Sequence, residues 1–379
     1  MENKFLRYQA ILDDYLKENR LRRIPSHRVA SQRFDLSSND YLGLRLSSGN
    51  LREDFIKKNN DSFTSSASRL LAADQNPYLA LENYLESLYG RPAILFNSGY
   101  HANVGCISAL NIPGTIFLPD RLIHASVIDG LNMAHAEFAR WRHNDINHLR
   151  RLLEKYHDKY ERIIVVAESI YSMDGDRAPL TEMAKLKEEF PSMMLYLDEA
   201  HAFGVFGERG LGCAEEENLI YAPDIIIGTF GKAAASSGAF AITSPLLHSF
   251  LINNARSLIF STAIPPVNVA WTLEMLKKIT QMKEERRHLH IISEKFRNFI
   301  SRITHSENPS SSQIIPLITG DAAKAVELAA RLEEIGIDAL PIRRPTVPPS
   351  GERIRFSLNA GISDEKLSII MKEIEDNLK

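Results

Sequence analysis

A lysine and an aspartate each follow an apolar run of the chain, and their chemistry is complementary. Lys232 lies in GTFGKAAASSG, a loop of small residues that begins within DIIIGT (224–229), and Asp198 directly follows MMLYL (193–197). A lysine amine can form a Schiff base with a carbonyl compound. An aspartate at the end of an apolar run is expected to be partly buried and to need a cationic or hydrogen-bonding partner. Lys232 could therefore attach a carbonyl cofactor covalently, and Asp198 could stabilise a positive charge on that cofactor.

Two further apolar runs end in residues that fit the same chemistry. Gly99 opens a predicted helix after AILF (93–96), and His124 follows TIFL (115–118). A helix that starts with glycine exposes backbone N–H groups that can hold a phosphate. Taken singly, the glycine indicates a turn, and the histidine and the lysine indicate surface residues. Together with Asp198 they indicate pyridoxal phosphate, which needs a Schiff-base lysine, a carboxylate at its pyridine nitrogen and donors at its phosphate.

The DEAH sequence that begins at Asp198 is also typical of the magnesium-binding element of an ATPase. That class needs a GxxxxGK[ST] phosphate loop earlier in the chain. Here the GK pair is Gly231 and Lys232, which come after DEAH. Ala233 follows the lysine, and Ile226 stands where the first glycine belongs. The sequence therefore disfavours nucleotide hydrolysis.

The elements that position these residues alternate between apolar strands and amphipathic helices from residue 93 onward. Besides the runs above, RIIVVA (162–167) has strand length, and LTEMAKLKEEF (180–190) has a helical pattern. Continuous apolar strands that alternate with helices predict an α/β fold whose parallel sheet is covered on both faces. In such sheets ligands bind beyond the carboxyl ends of the strands, which is where we expect Gly99, His124, Asp198 and Lys232 to lie.

The periodicity also predicts helices over 4–20 and 77–89 and a long helical stretch over 270–303. Beyond it, the strand QIIPLITG, a helix over 321–335, the strand RIRFSLN and a final helix form a smaller α+β lobe. We predict three parts: an N-terminal helix and arm (1–45), a large cofactor-binding domain (46–270) and a small C-terminal domain (271–379).

Composition limits the class of protein. The 379 residues are 44% hydrophobic and 25% charged with a net charge of −3, which favours a globular protein with more than one core and disfavours a general nucleic-acid binder. Cys106 and Cys213 lie far apart, so we expect neither a disulfide framework nor a metal site. The charged N-terminus and the lack of an apolar run of about 18 residues favour a cytoplasmic protein without a membrane segment.

Eight segments resemble, in order and spacing, those of the α-oxoamine synthases, which are fold type I pyridoxal-phosphate-dependent transferases. They are FDLSSNDYLGL, LIHASVIDG, RHND, ESIYSMDGDRAPL, LYLDEAHAFGVFGERGLG, GTFGKAAASSGAF, FSTAIPP and RRPTVPPSGERIRFSLNAG. The likeness extends from about residue 20 to residue 362. It implies a large domain with a mostly parallel sheet flanked by helices, a smaller α+β C-terminal domain, and a homodimer with active sites at the subunit interface.

The resemblance assigns catalytic roles to four residues. Lys232 is implied to be the Schiff-base lysine and general base, and Asp198 to pair with the pyridine nitrogen. His201 is implied to bond the phenolic oxygen of the ring, and His124 to stack on the ring and meet the substrate.

Further binding residues are implied around the cofactor and the substrates. The cofactor would be surrounded by Gly99, Tyr100, Ser172, Thr229 and Thr262, the last of which would reach a phosphate in the partner subunit. Arg355 would bind the amino-acid carboxylate, and Thr346 with one of Arg22 or Arg23 would contact the acyl substrate. Without the resemblance, the alternation that puts Arg353 and Arg355 on one face of RIRFSLN would predict an ordinary half-solvated strand.

Within the family, the chain length and RPTVP most resemble the members that condense L-alanine with a pimeloyl thioester. Coenzyme A or a carrier protein delivers the acyl group, and the products are 8-amino-7-oxononanoate, carbon dioxide and the free thiol, in biotin biosynthesis. Within the same family, glycine C-acetyltransferase, 5-aminolevulinate synthase and serine palmitoyltransferase remain open as activities. A non-catalytic scaffold is a possibility of a different class, but a scaffold would not need Asp198, His201 and Lys232 together.

The chain departs from the family pattern in two places. Alanines stand at the usual glycine sites after Lys232, and alanine is strained wherever φ is positive. A glycine- and serine-rich element is replaced by TSSASRLLAADQNPY, which keeps Arg69 and has Tyr78 where the family has histidine. These changes bear on acyl specificity more than on the cofactor.

Overall fold

The computed structural model describes residues 3–24 and 33–378, and its elements group into two units. The large unit comprises Asp40–Ser172 and Arg177–Arg287, and the small unit comprises Met1–Asn39, Met173–Asp176 and His288–Lys379. Residues 25–32 of the predicted N-terminal arm lie outside the described residues. The predicted domain boundaries after residues 45 and 270 stay a prediction.

The strands and helices follow one another along the chain with short connections. The strands are β1 (Phe34–Asp35), β2 (Ala93–Phe96), β3 (Thr115–Pro119), β4 (Arg162–Glu168), β5 (Met193–Asp198), β6 (Ile225–Thr229), β7 (Ala239–Thr243), β8 (Ile314–Ile318), β9 (Ile337–Asp338), β10 (Leu340–Ile342) and β11 (Arg353–Ser357). The helices are α1 (Leu6–Lys17, after a 3₁₀ turn at Asn3–Phe5), α2 (Leu44–Ser47), α3 (Gly49–Lys58), α4 (Asn76–Tyr89), α5 (Gly99–Leu110), α6 (Ala125–Met133), α7 (Ile146–Tyr156), α8 (Leu180–Glu189), α9 (Cys213–Glu216), α10 (Pro245–Asn254), α11 (Arg256–Ile259), α12 (Pro266–Ile279), α13 (Lys283–Thr304), α14 (Ala322–Glu334) and α15 (Asp364–Leu378). None of the described helices combines the length and apolar character needed to span a bilayer.

The large unit contains a six-stranded sheet in the order β2-β7-β6-β5-β4-β3. Strands β3 to β6 are parallel, and β7 runs antiparallel to both of its neighbours. Every residue of β6 and all but the first of β4 are buried, because helices cover both faces and leave no solvated side for polar residues. The α/β architecture with a mostly parallel sheet, predicted from the sequence, is confirmed.

Local signals set the helices that follow the strands. Ser98 caps α5 by accepting a hydrogen bond from the backbone N–H of His101, and Asp145 caps α7 in the same way through His148. A serine or aspartate in this position satisfies an N–H group that has no partner within the helix. Gly90 ends α4 with φ +68°, a conformation that glycine adopts without strain. The cap at Ser98 fixes where the chain leaves the carboxyl edge of the sheet after β2.

The small unit contains an antiparallel sheet in the order β10-β11-β8 and the short parallel pair β1-β9. The central strand β11 is buried along its whole length, including Arg353 and Arg355. The alternation alone predicted a half-solvated strand, and that prediction is wrong. A buried guanidinium needs acceptors, and Arg353 contacts Asp174 while Arg355 donates to Asn39 Oδ1 at 3.1 Å.

The helical stretch predicted over 270–303 is divided in two. Helix α12 ends at Ile279 and α13 begins at Lys283. Thr280 terminates the first helix by donating its hydroxyl to the carbonyl of Lys277 at 3.0 Å. Glu284 and Glu285 then lie in the first turn of α13, where negative charge is favourable. The apolar spacing continues across the break, which is why periodicity alone predicted one helix.

The alanines after Lys232 lie in two different backbone conformations. Ala235 has φ +45°, in the left-handed region, whereas Ala234 is not among the residues with positive φ. The backbone N–H of Ala235 donates to the carbonyl of Lys232 at 3.0 Å, so the turn that requires this φ is closed by a hydrogen bond. The loop therefore accepts strain at one of its three alanines.

Replacing Ala235 with glycine is expected to raise the free energy of unfolding by ~0.5–1 kcal/mol, because glycine removes the left-handed strain and only part of that gain is offset by unfolded-state entropy. Urea unfolding of the purified protein measures the change. Ala234→Gly is the matched control and is expected to lower stability, since Ala234 is fully buried and unstrained. Equal losses at the two positions would contradict the assignment of strain to Ala235.

Candidate active site

The residues predicted to hold the cofactor gather at one edge of the large sheet. Asp198 is the last residue of β5 and Thr229 the last of β6, while Lys232 follows three positions later. His124 lies between β3 and α6, and Gly99 opens α5 just after β2. The carboxyl ends of parallel strands meet at one edge, so the fold brings together side chains that are far apart in the sequence.

His201 links Lys232 to a tyrosine that the sequence did not single out. Lys232 Nζ lies 3.0 Å from His201 Nε2, and Tyr41 Oη lies 2.6 Å from His201 Nδ1. Both His201 and Tyr41 are buried. A charged lysine amine donates and does not accept, so Nε2 accepts from it and Nδ1 carries the ring proton towards Tyr41. Tyr41 thus fixes the orientation of the ring that faces the lysine.

Asp198 is buried at the strand end and is held by two donors. Asn103 Nδ2 donates to its Oδ2 at 2.8 Å, and the backbone N–H of Ala200 donates to its Oδ1 at 2.9 Å. Asn103 is oriented in turn, because its Oδ1 accepts from Tyr196 Oη at 2.8 Å. Hydrogen bonds from N–H groups stabilise an ionised carboxylate, so the arrangement supplies a fixed negative charge at this point.

His124 is connected to the same network through a serine. His124 caps α6, and its Nδ1 accepts from the backbone N–H of Ser126 at 3.2 Å. Ser126 Oγ accepts from Asn103 Nδ2 at 2.9 Å. Loss of hydration around the imidazole lowers the pKa of His124. The charge of Lys232 lowers this pKa further, and the charge of Asp198 opposes the shift. The ring therefore favours the neutral form, with Nδ1 as acceptor.

The predicted phosphate-side residues occupy two neighbouring loops of the large unit. Gly99 lies against Thr229, because a Cβ built on the glycine would be 3.9 Å from Thr229 Oγ1. Thr229 Oγ1 donates to the carbonyl of Gly238 at 3.1 Å and accepts from the backbone N–H of Gly231 at 3.3 Å. The helix start and the Lys232 loop thus converge, which suits an anion held by backbone N–H groups.

The remaining predicted cofactor residues are more exposed. Tyr100 is 47% exposed, and its hydroxyl donates to Asp129 at 2.8 Å. Ser172 is half-buried in the loop after β4. Thr262 is exposed, and its carbonyl accepts from Asn97 Nδ2 at 2.6 Å. The role of Thr262 towards a second subunit stays a prediction.

Tyr78, which replaces the family's histidine, has partners that hold this surface loop in place. Its hydroxyl donates to the carbonyl of Ile264 at 2.5 Å, two residues beyond Thr262. The guanidinium of Arg69 lies 4.5 Å from the centre of its ring and also pairs with Glu82 at 2.8 Å. Burial raises the pKa of Tyr78, so the hydroxyl stays protonated and donates. In this unit Tyr78 therefore has a structural role.

Four of the predicted substrate residues belong to the small unit, whereas His124 belongs to the large unit. Arg22 donates to Thr346 Oγ1 at 2.9 Å, so two of the residues predicted to contact the acyl substrate are neighbours. Arg23 is exposed. Arg355 also donates to Ser357 Oγ at 2.7 Å, so two neutral oxygens are among its acceptors. The role of Arg355 towards a carboxylate ligand stays a prediction.

The glutamate of DEAH has a supporting role that the sequence did not reveal. Glu199 is fully buried and accepts from the backbone N–H groups of Cys213 at 3.0 Å and Ala214 at 2.8 Å, and from the hydroxyl of Ser169. Burial raises its pKa to about 7, against the effect of these donors. It ties the end of β5 to the following loop. Within the described ranges, no cluster of His, Cys, Asp and Glu could hold a metal ion.

Similarity to known proteins covers nearly the whole chain. The family model for aminotransferase class I and II matches residues 31–374. A curated protein of Pasteurella multocida, named "Putative 8-amino-7-oxononanoate synthase", is 46% identical over 365 residues, which are 93% of this chain and 94% of that protein. A protein of the same name from Haemophilus influenzae (strain Rd) is 46% identical over 337 residues, which are 88% of each chain.

Solved structures share the fold, which confirms the predicted fold type I transferase architecture. A serine palmitoyltransferase from Sphingomonas wittichii has a TM-score of 0.88 and 29% identity over 99% of this chain and 97% of its own. A structure of SPT with PLP has a TM-score of 0.88 and 25% identity over the same shares. The 8-amino-7-oxononanoate synthase of Francisella tularensis has a TM-score of 0.74 and 26% identity over 91% of this chain and 98% of its own.

The large unit fits pyridoxal phosphate on its own geometry. Lys232 supplies an amine for covalent attachment, Asp198 supplies a buried carboxylate for the ring nitrogen, and His201 supplies a polar ring nitrogen beside the lysine. Gly99 brings the backbone N–H groups at the start of α5 close to Thr229. When bound, the cofactor supplies an electron sink for the substrate carbon from which a proton is removed.

Proposed function

Because the chain belongs to the aminotransferase class I and II family, we propose that it condenses L-alanine with a pimeloyl thioester to give 8-amino-7-oxononanoate. The chain is a pyridoxal-phosphate-dependent acyltransferase of the α-oxoamine synthase type. The names of the relatives from P. multocida and H. influenzae support the choice of L-alanine and the pimeloyl group. Carbon dioxide and the free thiol of coenzyme A or a carrier protein are the other products, in biotin biosynthesis.

The observation that carries the proposal is the contact between Lys232 and His201. The 3.0 Å separation holds the amine beside the site of Asp198, where it can both anchor the cofactor and move a proton. In the proposed reaction the amine of Lys232 removes the α-proton of alanine and later returns a proton to the product carbon. Gly231 and Ala233 flank the lysine and leave room for this movement.

The other predicted residues have binding roles in this proposal. Arg355 binds the alanine carboxylate through its guanidinium, and His124 stacks on the cofactor ring and meets the substrate. Thr346 and Arg22, or Arg23 in its place, contact the acyl chain. The ring's phenolic oxygen bonds to His201. The phosphate and its surroundings are held by Gly99, Tyr100, Ser172 and Thr229.

We propose a homodimer with the active sites at its interface. The exposure of Thr262 supports this assignment, since a residue that acts in a second subunit must be accessible at the surface of its own. In the dimer, Thr262 of one subunit reaches the phosphate bound in the other. We also propose that the enzyme acts in the cytoplasm on small-molecule and thioester substrates, with no nucleic-acid partner.

The visible spectrum of the holoenzyme tests the amino acid. L-Alanine, glycine and L-serine are titrated separately, and the concentration that gives half of the spectral change is compared. We expect L-alanine to act at a concentration at least tenfold below the other two, because a site shaped for its methyl group gains or loses about 1–3 kcal/mol per group. A preference for glycine would identify a different member of the family.

Serine palmitoyltransferase is the second candidate, because the structure of that enzyme from S. wittichii has the higher TM-score to this chain. Thiol release from pimeloyl-CoA and from palmitoyl-CoA, each with L-alanine and with L-serine, separates the two functions. The proposed synthase releases thiol only with L-alanine and pimeloyl-CoA at low concentration. Release with L-serine and palmitoyl-CoA alone would replace the proposal by the second candidate.

A further inference from the structure

A second buried carboxyl group lies beside Asp198. Glu168 is the last residue of β4 and is 3% exposed, and it is paired in register with Asp198 on β5. The backbone N–H of Ser169 donates to the carbonyl of Asp198 at 2.9 Å, which keeps the two strands together to their ends. Paired residues on neighbouring strands project from the same face of a sheet. The two carboxyl groups are therefore adjacent in the interior.

The two groups have unequal supplies of hydrogen bonds. Asp198 accepts from Asn103 Nδ2 at 2.8 Å and from the backbone N–H of Ala200 at 2.9 Å. Glu168 Oε1 is buried and has no hydrogen-bond partner among the residues that the structure describes. The backbone of His124 lowers the pKa of Glu168, but by less than burial raises it. A charge with so few donors in the interior costs several kcal/mol, so a single proton shared between the groups belongs on Glu168.

The charged groups around Glu168 favour the same assignment. Asp198 on β5 and Asp120 at the end of β3 are negative neighbours, and Lys232 in the loop after β6 is the positive one. Burial has the largest effect and raises the pKa of Glu168; Asp198 raises it further, and Lys232 opposes the shift. Asp120 is already engaged, because it accepts from His143 Nδ1 at 2.9 Å. Two negative charges on paired residues in the interior repel each other, so Glu168 and Asp198 are not both stable as carboxylates.

We propose that Glu168 is a positioning residue that remains protonated and uncharged, so that Asp198 is the charged member of the pair. The role of Asp198 at the ring nitrogen rests on the proposed function, whereas the protonation of Glu168 does not. Through its neutral state Glu168 keeps the charge of the pair on the carboxylate that Asn103 orients. A negative Glu168 would instead compete with Asp198 for the positive charge of Lys232.

The protonation state is measured on the cofactor-free protein with Glu168→Gln, which has the same shape and no charge. In wild type, the unfolded state releases the proton of Glu168 above the ordinary pKa of a glutamate, whereas the folded state retains it. The contribution of this proton to the free energy of unfolding is therefore fully present at low pH and is lost as the pH rises towards the raised pKa of the folded state. The glutamine variant has no such proton, so its free energy of unfolding does not fall for this reason. Between pH 5 and pH 9 the urea midpoint of wild type is therefore expected to fall relative to that of the variant.

Glu199→Gln is the comparison variant, since Glu199 is also fully buried but both of its oxygens accept hydrogen bonds. Because the pKa of Glu199 is raised only to about 7, the urea midpoint of wild type relative to this variant is expected to fall up to about pH 7 and to stay level from there to pH 9. An amide there turns one acceptor into a donor that faces an N–H group, so this variant is expected to be less stable than wild type at high pH. Two results would show that Glu168 is ionised and would overturn the proposal. One is that Glu168→Gln is also less stable than wild type at pH 9. The other is that the urea midpoints of Glu168→Gln and wild type change with pH by the same amount.

Cofactor binding connects Glu168 with Asp198. Because glutamine reproduces the uncharged state, the dissociation constant of pyridoxal phosphate for Glu168→Gln is expected to stay within about twofold of the wild-type value. A weakening of more than about tenfold would show that a negative charge at Glu168 is needed, and would overturn the proposal. If no amino acid changes the spectrum of wild type, the proposed function fails while the unfolding experiment still decides the state of Glu168.

Discussion

Replacing Lys232 with alanine is expected to abolish covalent attachment of pyridoxal phosphate and to lower turnover by roughly 10⁴-fold or more, the scale set by the loss of a positioned base together with a nucleophile. The amine that lies 3.0 Å from His201 Nε2 is removed. Borohydride reduction followed by peptide mass analysis measures attachment. Wild type should carry the cofactor on the peptide that contains Lys232, and the variant should carry none.

Lys185→Ala is the matched control for this experiment. Lys185 is an exposed lysine of α8 in the same unit, outside the site. It should keep wild-type attachment and turnover, and both variants should unfold at urea concentrations close to that of wild type. If the alanine variant at position 232 still fixed the cofactor to one defined lysine, or turned over at an unchanged rate, the assignment of Lys232 would be wrong.

The strand ends could be located from the sequence because each one combines an apolar run with an abrupt polar residue. The run 193–197 ends at Asp198, and β5 ends there too. The run 224–229 ends at Thr229, as β6 does. A parallel sheet buried on both faces requires continuous apolar residues, so the boundary is sharp in the sequence. The sequence thus located the edge on which the candidate site is built.

The residues that orient the site could not be found in this way, because their partners are remote in sequence. Tyr41 meets His201 across 160 positions, and Asn103 meets Asp198 across 95. Asn103 lies within α5, where nothing in the local pattern distinguishes it from any other polar residue in a helix. Glu168 could have been suspected, since it too follows an apolar run. Its register with Asp198 depends on which strands are neighbours, and the sequence alone does not specify that order.

Burial of the β11 arginines was missed for a related reason. A period of two shows which residues share a face of a strand, but it does not show what covers that face. In the small unit β11 lies between β10 and β8, and the charged face is buried with its arginines satisfied by Asp174 and Asn39. The alternation alone therefore predicted a solvated face, because the neighbouring elements that bury the arginines are remote in sequence.

Replacing Asp198 with asparagine is the second substitution with a large expected effect. Asparagine keeps the shape but removes the negative charge, and its amide nitrogen would face either Asn103 Nδ2 or the backbone N–H of Ala200. Asn103 cannot turn over to accept, because its oxygen is held by Tyr196 at 2.8 Å and its nitrogen by Ser126 at 2.9 Å. One hydrogen bond to a charged group is thus lost, which is expected to lower the free energy of unfolding by ~2 kcal/mol.

The same substitution is expected to lower turnover by roughly 10²–10⁴-fold, because no carboxylate then holds the proton at the ring nitrogen and the fixed charge opposite the reacting carbon is absent. Steady-state rates with L-alanine and pimeloyl-CoA, together with the dissociation constant of pyridoxal phosphate, separate the two effects. Asp145→Asn is the matched control, since Asp145 caps α7 and asparagine caps equally well. If Asp198→Asn lost stability yet kept wild-type turnover, Asp198 would be only a structural residue. That result would contradict the charged Asp198 on which both the cofactor assignment and the neutral state of Glu168 depend.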